Sequence, residues 1–331
     1  MPNPYISGTG HFLPPRVVTN DDLSKYIDTT DEWIQERTGI KERCYVDVGV
    51  GSSDLAIPAT EQALKAANLK VGDIDFIIFA TSTPDFYAPG SGCLLQEKMG
   101  FNEIGALDIR VQCSGFLYGL SIAEQYIKTD MFKNILLVGA EVQSTAMDLT
   151  NEGRDTAIIF GDGAGAVIIS ATDEEKGILS THMHSEGKYL KELWLESPAS
   201  NAGHPRITLE DLDKGKQYLK MNGKEVFRHA VTRFPEVINE CLEKNNLTTD
   251  DIDLLIPHQA NLRITQMVQK KLGLIDNQVF SNIHKYGNTT AGTIPIALAE
   301  AVNAGKISNG NIVVLAAFGA GFAWASAAIK W

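Results

Sequence analysis

LKAANLKVGDIDFIIFAT, residues 64–81, aligns without gaps on LEKNNLTTDDIDLLIPHQ, residues 242–259, at an offset of 178 residues. In both stretches a helix-type segment leads through a polar turn into an apolar run of strand length. Two further pairs match at nearly the same offset: residues 134–137 with 311–314, and residues 123–124 with 299–300. A nearly constant offset at three places predicts two copies of one α/β unit, with the join near residue 172.

Apolar runs of strand length alternate with helix-period segments along the whole chain. Strands are predicted at residues 74–81, 105–111, 135–139 and 252–257. Residues 52–54 (SSD) are predicted to cap a helix that runs towards Asn68, and Gly100 and Gly273 are predicted to end helices. The segment Gly8-Thr9-Gly10 is predicted to be a turn after the first strand. The alternation favours a largely parallel sheet flanked by helices.

Composition excludes several functional classes. The 331 residues include 29 basic and 41 acidic ones, and a formal net charge of −12 does not favour nucleic-acid binding. The four cysteines lack metal-ligand spacing, and the first residues show no secretory signal, so a cytoplasmic protein with reduced thiols is expected. Residues 311–329 carry no charge, but Phe318-Gly319-Ala320-Gly321 interrupts them. Two buried strands are therefore expected there, rather than a membrane-spanning helix.

Three polar side chains are predicted to meet in one crevice. Cys113 follows a predicted strand and opens a helix, where the helix dipole favours a thiolate, although a buried inert thiol is the commoner fate. The repeat places His258 at the end of a central strand, and Asn288 opens the equivalent helix in the second half. Taken singly, His258 could be a core histidine and Asn288 a helix cap. Together, their N–H groups could donate to one thioester oxygen as negative charge develops on it.

Two glycine-rich turns, FGDGAG at residues 160–165 and FGAG at residues 318–321, occupy related places in the two halves. The first precedes a strand rather than a helix, so a dinucleotide-binding motif is not favoured. Tight turns whose backbone amides face a substrate are expected instead. His182, His184 and Glu186 alternate as an iron site of two histidines and one carboxylate would require, but a solvated strand edge is the favoured interpretation.

The chain resembles the β-ketoacyl-acyl carrier protein synthase III family over essentially its full length. Six motifs in order carry the resemblance: WIQERTGI at 33–40, QCSG at 112–115, FGDGAG at 160–165, PHQAN at 257–261, GNT at 287–289 and FGAG at 318–321. It implies an α/β, thiolase-like fold of two duplicated α/β halves, residues 1–172 and 173–331, in a layered α-β-α-β-α architecture. It also implies decarboxylative condensation of an acyl-coenzyme A primer with malonyl-acyl carrier protein, giving 3-oxoacyl-acyl carrier protein, CO2 and coenzyme A.

The resemblance also implies roles for particular residues. Cys113 would carry the acyl group, His258 and Asn288 would hold the malonyl thioester oxygen, and the backbone N–H groups of Cys113 and Ala320 would form the oxyanion hole. The other implied sites are coenzyme A binding at Trp33, Arg37 and Arg154, carrier-protein docking at Arg228, Arg263, Lys270 and Lys271, and an acyl pocket at Ala88. No metal and no cofactor apart from the substrates is implied. The protein would be a homodimer that binds neither nucleic acid nor membranes.

Two positions depart from the family pattern. Ala320 stands where many relatives have glycine, so its N–H serves only if the backbone torsions suit a Cβ. Ala88 stands where relatives restricted to short primers often have phenylalanine, contributed across the dimer. The smaller side chain predicts longer primers, unless Phe86 or Tyr87 fills the space.

Three functions other than the condensation of an acyl primer with malonyl-acyl carrier protein remain open. The first is a secondary-metabolite ketosynthase or acyltransferase with the same three residues but another acceptor. The second is a catalytically silent partner subunit, against which the retention of Cys113, His258 and Asn288 argues. The third is a metal-dependent oxidoreductase built on His182 and His184.

Overall fold

The computed structural model describes residues 1–331. Its strands, in chain order, are β1 (Asn3–Phe12), β2 (Arg16–Thr19), β3 (Glu42–Tyr45), β4 (Phe76–Ala80), β5 (Gly105–Ile109), β6 (Asn134–Glu141), β7 (Gly163–Thr172), β8 (Gly177–Ser185), β9 (Leu193–Trp194), β10 (Lys220–Met221), β11 (Leu254–Pro257), β12 (Ile312–Gly319) and β13 (Ala323–Lys330). Its α-helices are α1 (Asn20–Leu23), α2 (Asp31–Thr38), α3 (Ser52–Ala67), α4 (Ser91–Met99), α5 (Gly115–Lys128), α6 (Arg154–Ala157), α7 (Leu209–Asp213), α8 (Gly223–Lys244), α9 (Leu262–Leu272), α10 (Ile283–Tyr286) and α11 (Thr293–Asn303).

Two large sheets repeat one topology, as the internal repeat predicts. The first sheet has the order β1-β7-β6-β4-β5, and the second has the order β8-β13-β12-β11. One pair of matching strands is parallel in each sheet, β6 with β4 and β12 with β11, and the next two strands, β7 and β1 or β13 and β8, join antiparallel. β5 pairs parallel with β4. The second sheet has no full strand equivalent to β5; at that position there is only an isolated parallel bridge between Leu255 of β11 and Val279. The predicted duplication is therefore confirmed.

Five layers form the molecule. Helices α5 and α11 lie between the two sheets and contact strands of both. α3 and α4 cover the outer face of the first sheet, and α8 covers that of the second, with α9 packed beside it. The buried cluster in the middle combines Ile78 and Leu137 of the first sheet with Val313 and Leu315 of the second. The structure thus has the predicted α-β-α-β-α order, and a single core joins the two halves.

Helix ends follow the local sequence closely. α4 and α9 stop at Gly100 and Gly273, whose φ angles of 68° and 72° lie in the left-handed region that glycine adopts easily. α3 ends at Asn68, which is also left-handed. Its predicted cap at residues 52–54 is wrong by one residue. Gly51 is the N-cap, and the Asp54 carboxylate accepts the Gly51 N–H at 2.9 Å.

The predicted strands are found at β4, β5, β6 and β11. The uncharged residues 311–329 form β12 and β13, an antiparallel pair, which confirms two buried strands. None of the helices combines the length and the apolar character that crossing a bilayer requires.

The predicted turn at Gly8-Thr9-Gly10 is wrong, because these residues lie inside β1. A Cβ at Gly8 or at Gly10 would come within 2.2 Å of a carbonyl oxygen of α3, that of Ala63 or Ala59. The two glycines therefore allow α3 to pack directly on the strand. Close packing between elements, rather than a turn, explains this glycine pair.

Candidate active site

Cys113, His258 and Asn288 line one cavity of about 770 Å³. Cys113 lies in the short 3-10 turn Gln112–Ser114 that leads into α5. His258 directly follows β11, and its backbone N–H continues the parallel ladder by donating to the Ala316 carbonyl at 2.7 Å. Asn288 follows α10 and forms an isolated bridge with Phe160. Three separate segments from both halves thus supply the three side chains.

The Cys113 thiol is buried, with 6% of the residue exposed. Burial raises its pKa to about 12, and the negative charge of Glu141 acts in the same direction. The backbone N–H groups of Cys113 and Ala320 lower the pKa of this thiol, but they oppose the effect of burial only partly. The expected thiolate is therefore wrong for the resting protein, because the loss of hydration outweighs the helix terminus. The resting group is a neutral thiol.

The FGAG turn packs against this thiol. A Cβ at Gly319 would lie 2.8 Å from the Cys113 Sγ, so the turn leaves no space for a side chain there. Ala320 is not among the residues with positive φ, so its backbone accommodates a Cβ and its N–H remains directed at the sulfur.

His258 is 1% exposed and has one partner: Nδ1 lies 2.6 Å from the Thr293 Oγ1. Its Nε2 is buried and has no hydrogen-bond partner within the protein. Burial lowers the pKa of the imidazole to about 3, so the ring is neutral at physiological pH. A buried ring nitrogen without a partner in a cavity wall is available to a ligand.

Asn288 is held by its oxygen. The Thr290 backbone N–H donates to the Asn288 Oδ1 at 2.8 Å, at the start of the 3-10 turn Thr290–Gly292 that precedes α11. Asn288 therefore caps this turn, as the simpler interpretation predicted. Its Nδ2 makes no hydrogen bond within the protein, so it can donate to a ligand in the cavity.

A buried carboxylate behind the cavity wall was missed by the sequence reasoning. Glu141, the last residue of β6, is 0% exposed. Its donors are the Ser82 N–H and hydroxyl, the Thr83 hydroxyl, the Gln143 amide and, at 3.4 Å, the Ala291 N–H. Burial raises the pKa of Glu141 to about 7 against these hydrogen bonds. Strand pairing rather than the sequence repeat reveals its equivalent: Phe76 pairs with Ile135 and Leu254 pairs with Val313, so Glu141 corresponds to Gly319 at an offset of 178.

The three residues expected at coenzyme A lie together. The guanidinium carbons of Arg37 and Arg154 lie 4.4 Å and 4.7 Å from the centroid of the Trp33 ring. Trp33 packs in one cluster with Leu219 and Met221, which also line the cavity. This cluster therefore links the tryptophan to the wall of the cavity that contains the thiol.

The basic residues expected to dock the carrier protein lie on two packed helices. Arg228 belongs to α8 and forms an ion pair with Glu225, whereas the other three belong to α9. Arg263 and Lys270 are exposed and form no salt bridge. Lys271 donates to the Val231 carbonyl at 2.8 Å. Two of the four cations are thus unpaired and accessible.

Other predicted features lie outside this cavity. Ala88 is exposed and does not line the cavity of its own chain, whereas Tyr87 does. In the FGDGAG turn only Phe160 lines the cavity, because the Asp162 carboxylate points into the fold and accepts the Val46 N–H. The FGDGAG turn therefore stabilises the fold through Asp162, and its glycines do not face the cavity.

The alternative iron site does not form. His182 and His184 both contact Glu240, at 3.3 Å and 2.6 Å, while Glu186 pairs with Arg233 instead. No group of three or more histidine, cysteine or acidic residues in the structure could hold a metal ion. The two histidines of β8 belong to a hydrogen-bonded cluster with Glu240 of α8.

Comparison with known proteins identifies the family. The profile of 3-oxoacyl-[acyl-carrier-protein] synthase III matches residues 107–187, and that of its C-terminal part matches residues 242–331. A β-ketoacyl-[acyl-carrier-protein] synthase III from Caldanaerobacter subterraneus is 45% identical over 326 residues, 98% of this chain and 97% of the relative.

Two solved structures agree with this result. The 3-oxoacyl-[acyl-carrier-protein] synthase III of Aquifex aeolicus has a TM-score of 0.90 and 40% identity, covering 99% of this chain and all of that one. The priming β-ketosynthase of the R1128 polyketide pathway has a TM-score of 0.92 and 30% identity, covering 99% and 96%.

The fold and these similarities define an acyltransferase of the condensing-enzyme class, with a thiolase-like fold. The chain belongs to the β-ketoacyl-acyl carrier protein synthase III family, the condensing enzymes that initiate fatty acid synthesis.

Proposed function

We propose that the protein transfers an acyl group from coenzyme A to Cys113 and condenses it with malonyl-acyl carrier protein. The products are 3-oxoacyl-acyl carrier protein, CO2 and coenzyme A, in the first condensation of type II fatty acid synthesis. The observation that supports this proposal is that one cavity is lined by the buried Cys113 thiol, by a His258 ring nitrogen without a partner and by the Asn288 amide.

Acylation begins from the neutral thiol. The Cys113 sulfur attacks the acyl-coenzyme A thioester, and the thiol proton ends on the departing coenzyme A. The backbone N–H groups of Cys113 and Ala320, which already point towards the sulfur, hold the oxyanion of the tetrahedral intermediate. Because these donors are fixed by the backbone, they need no reorganisation when the charge develops.

Condensation uses the two remaining side chains. The Asn288 Nδ2 and the His258 Nε2 donate to the malonyl thioester oxygen while the carboxylate leaves as CO2. The resulting enolate carbon attacks the acyl thioester, and the Cys113 sulfur leaves and takes up a proton. A neutral His258 donates only when Nε2 carries its hydrogen. The Thr293 hydroxyl, which donates to the Thr290 carbonyl in the structure and lies 2.6 Å from Nδ1, would then have to turn its hydrogen to Nδ1 instead.

Mass spectrometry of the intact protein tests the proposal directly. We expect wild-type protein incubated with a panel of acyl-coenzyme A thioesters to gain one acyl group, and Cys113→Ser to gain none. Asn288→Ala should still be acylated, but it should release CO2 from malonyl-acyl carrier protein at least 100-fold more slowly, in line with the loss of an oxyanion donor. An acyl group on any other residue, or acylated wild type that forms no 3-oxoacyl product, would contradict the proposal.

The same panel distinguishes a second candidate. The similarity to a priming polyketide β-ketosynthase favours an enzyme with the same three residues and another carrier protein as acceptor. A fatty-acid enzyme should turn over with the carrier protein of fatty acid synthesis. Acylation of Cys113 without turnover on that carrier would favour the polyketide alternative.

We propose that the substrates bind along the two surfaces described above. Trp33, Arg37 and Arg154 are suited to the adenine nucleotide of coenzyme A, since an aromatic ring and two cations can stack and pair with it. Arg263 and Lys270 are free to meet an acidic carrier protein. A local basic surface lets a protein of net charge −12 bind an acidic partner. The cytoplasm is the proposed compartment.

We further propose a homodimer with longer acyl primers. β5 is the edge strand of the first sheet, and the exposed Phe86 and Tyr87, at 58% and 67%, directly precede Ala88. A partner at this edge would bring Ala88 to the neighbouring acyl pocket. Acylation confined to acetyl-coenzyme A in the panel would contradict the longer primer.

A further inference from the structure

Thr290 adopts a backbone conformation that its side chain disfavours. Its φ angle is 49°, in the left-handed region, which is rare for a β-branched residue. Such strain persists only where surrounding contacts hold it, and it is concentrated at functional sites. Thr290 is 3% exposed and lines the cavity with Asn288, whose Oδ1 accepts its N–H.

Three contacts fix Thr290 in this conformation. Its N–H donates to Asn288 at 2.8 Å, its carbonyl accepts from the Thr293 hydroxyl at 3.0 Å, and its own hydroxyl accepts from the Gln143 Nε2 at 2.8 Å. The first two are local to the turn. The third comes from the other half of the chain, 147 residues away.

Gln143 is itself held firmly. It is 5% exposed, and its Nε2 also lies 3.3 Å from the Glu141 carboxylate and 3.2 Å from the Ser82 hydroxyl. The buried carboxylate attracts the amide nitrogen and so fixes which end of the amide meets Thr290. A chain of contacts therefore leads from Glu141 through Gln143 and Thr290 to Asn288.

We propose that Gln143 is a positioning residue for Asn288. Its amide holds Thr290 in the left-handed conformation, so that the Thr290 N–H fixes the Asn288 Oδ1 and leaves Nδ2 directed at the malonyl thioester oxygen. This inference rests on the proposed role of Asn288 in decarboxylation. Gln143 lines the same cavity as Cys113, but its Nε2 is engaged by Thr290, Glu141 and Ser82, so acylation should depend on it little.

The internal repeat supports this division of roles. Gln112 occupies the position equivalent to Thr290 and is also left-handed, with φ of 44°. The conformation thus belongs to both copies of the turn. The cross-half hydrogen bond from Gln143, however, is made to Thr290. The turn next to Asn288 therefore has a hydrogen bond from Gln143 in addition to the conformation that both copies share.

Gln143→Leu tests the proposal, because leucine has a similar volume and cannot donate. We expect decarboxylation of malonyl-acyl carrier protein to slow about tenfold, as for one lost hydrogen bond, while acylation of Cys113 changes less than about twofold. Thr290→Val removes the acceptor of the same bond and should slow decarboxylation equally. The double variant should be no slower than either single variant, because both remove one interaction.

Rescue separates positioning from general stability. Glycine adopts the left-handed conformation without strain, so Thr290→Gly combined with Gln143→Leu should restore most of the lost decarboxylation rate. Asn68→Gly is the matched control. Asn68 is also left-handed, with φ of 55°, but it ends α3 away from the cavity. This change should leave the slow decarboxylation of Gln143→Leu as it is.

The outcomes are distinguishable. Folded Gln143→Leu protein with unchanged decarboxylation, with equal losses in both half-reactions, or without rescue by Thr290→Gly would overturn the inference. If Gln143→Leu does not fold, Thr290→Val decides by the same two half-reaction rates. A wild-type enzyme that is never acylated, or that releases no CO2, would instead contradict the proposed function itself.

Discussion

Cys113 and His258 are both uncharged in the resting protein, because burial raises the pKa of the thiol to about 12 and lowers that of the imidazole to about 3. Neither group titrates near neutral pH. A preformed thiolate–imidazolium pair, which many cysteine enzymes use, is thus absent from this site. The nucleophile must form as the thioester arrives, with the backbone donors at the sulfur stabilising the developing charge.

Gly319→Ala should block acylation. The added Cβ would lie 2.5 Å from the Cys113 Cβ and 2.8 Å from its sulfur, a distance that requires one of them to move. Overpacking of this kind costs a few kcal/mol, so we expect the acylation rate, measured by mass spectrometry, to fall about a hundredfold. Gly187→Ala is the control, since a Cβ there meets no atom within 4 Å. Normal acylation of Gly319→Ala would show that the turn moves freely.

Glu141→Gln should change how stability depends on pH. The folded protein raises the pKa of this carboxyl from its ordinary 4.5 to about 7. The protonated form is therefore favoured on folding, and its contribution to stability is lost as the pH rises from 4.5 through 7. Glutamine does not titrate. Between about pH 4 and about pH 8 the wild type should lose about 3 kcal/mol of unfolding free energy relative to the variant.

Urea unfolding of both proteins across this pH range measures the difference, and groups common to both cancel. A difference that is constant with pH would mean that the hydrogen bonds to Glu141 cancel the effect of its burial on the pKa. The carboxyl would then have an ordinary pKa.

Strands and helix ends were predictable where the determinants are local. Apolar runs marked β4, β6 and β11, and glycines marked the ends of α4 and α9. The prediction failed at Gly8 and Gly10, because the reason for these glycines lies in α3, about 50 residues away along the chain. A local pattern cannot distinguish a glycine that turns the chain from one that admits a neighbouring helix.

The candidate site was predictable only in part for the same reason. The repeat register and the family motifs brought Cys113, His258 and Asn288 to one crevice, and they share one cavity in the structure. The network of Glu141, Gln143 and Thr290 was missed, because it joins the end of β6 to a turn in the other half. The state of the thiol was also wrong, since burial cannot be judged from position along the chain.

The whole molecule is one body built from two copies. Helices α5 and α11 each contact both sheets, and the central core draws residues from both halves. The proposed boundary near residue 172 falls in the connection between β7 and β8. Because the central core draws residues from both halves, we expect neither half to be stable alone.

A dimer should be the state in solution. Light scattering is expected to give twice the chain mass of 36.1 kDa, because the edge strand β5 and the exposed Phe86 and Tyr87 are suited to a partner. Ala88→Phe should then favour short primers in the acylation panel without changing the mass. A monomer at assay concentration, or an unchanged primer preference, would remove the argument that Ala88 shapes a neighbouring pocket.

Because Glu141 and Gly319 occupy equivalent positions, the two copies of the turn differ in which of them can bind a substrate. Gly319 lies against Cys113, and Glu141 lies against Ala291, which occupies the position of that cysteine in the second copy. In the first copy, the glycine brings no side chain against Cys113, which is the proposed site of the acyl thioester. In the second copy, the Glu141 carboxyl accepts the backbone N–H of Ala291, so this N–H is not available to a ligand. A cysteine introduced at position 291 would therefore lie against Glu141 and lack a free backbone donor, so the proposed acylation is confined to the Cys113 copy of the turn.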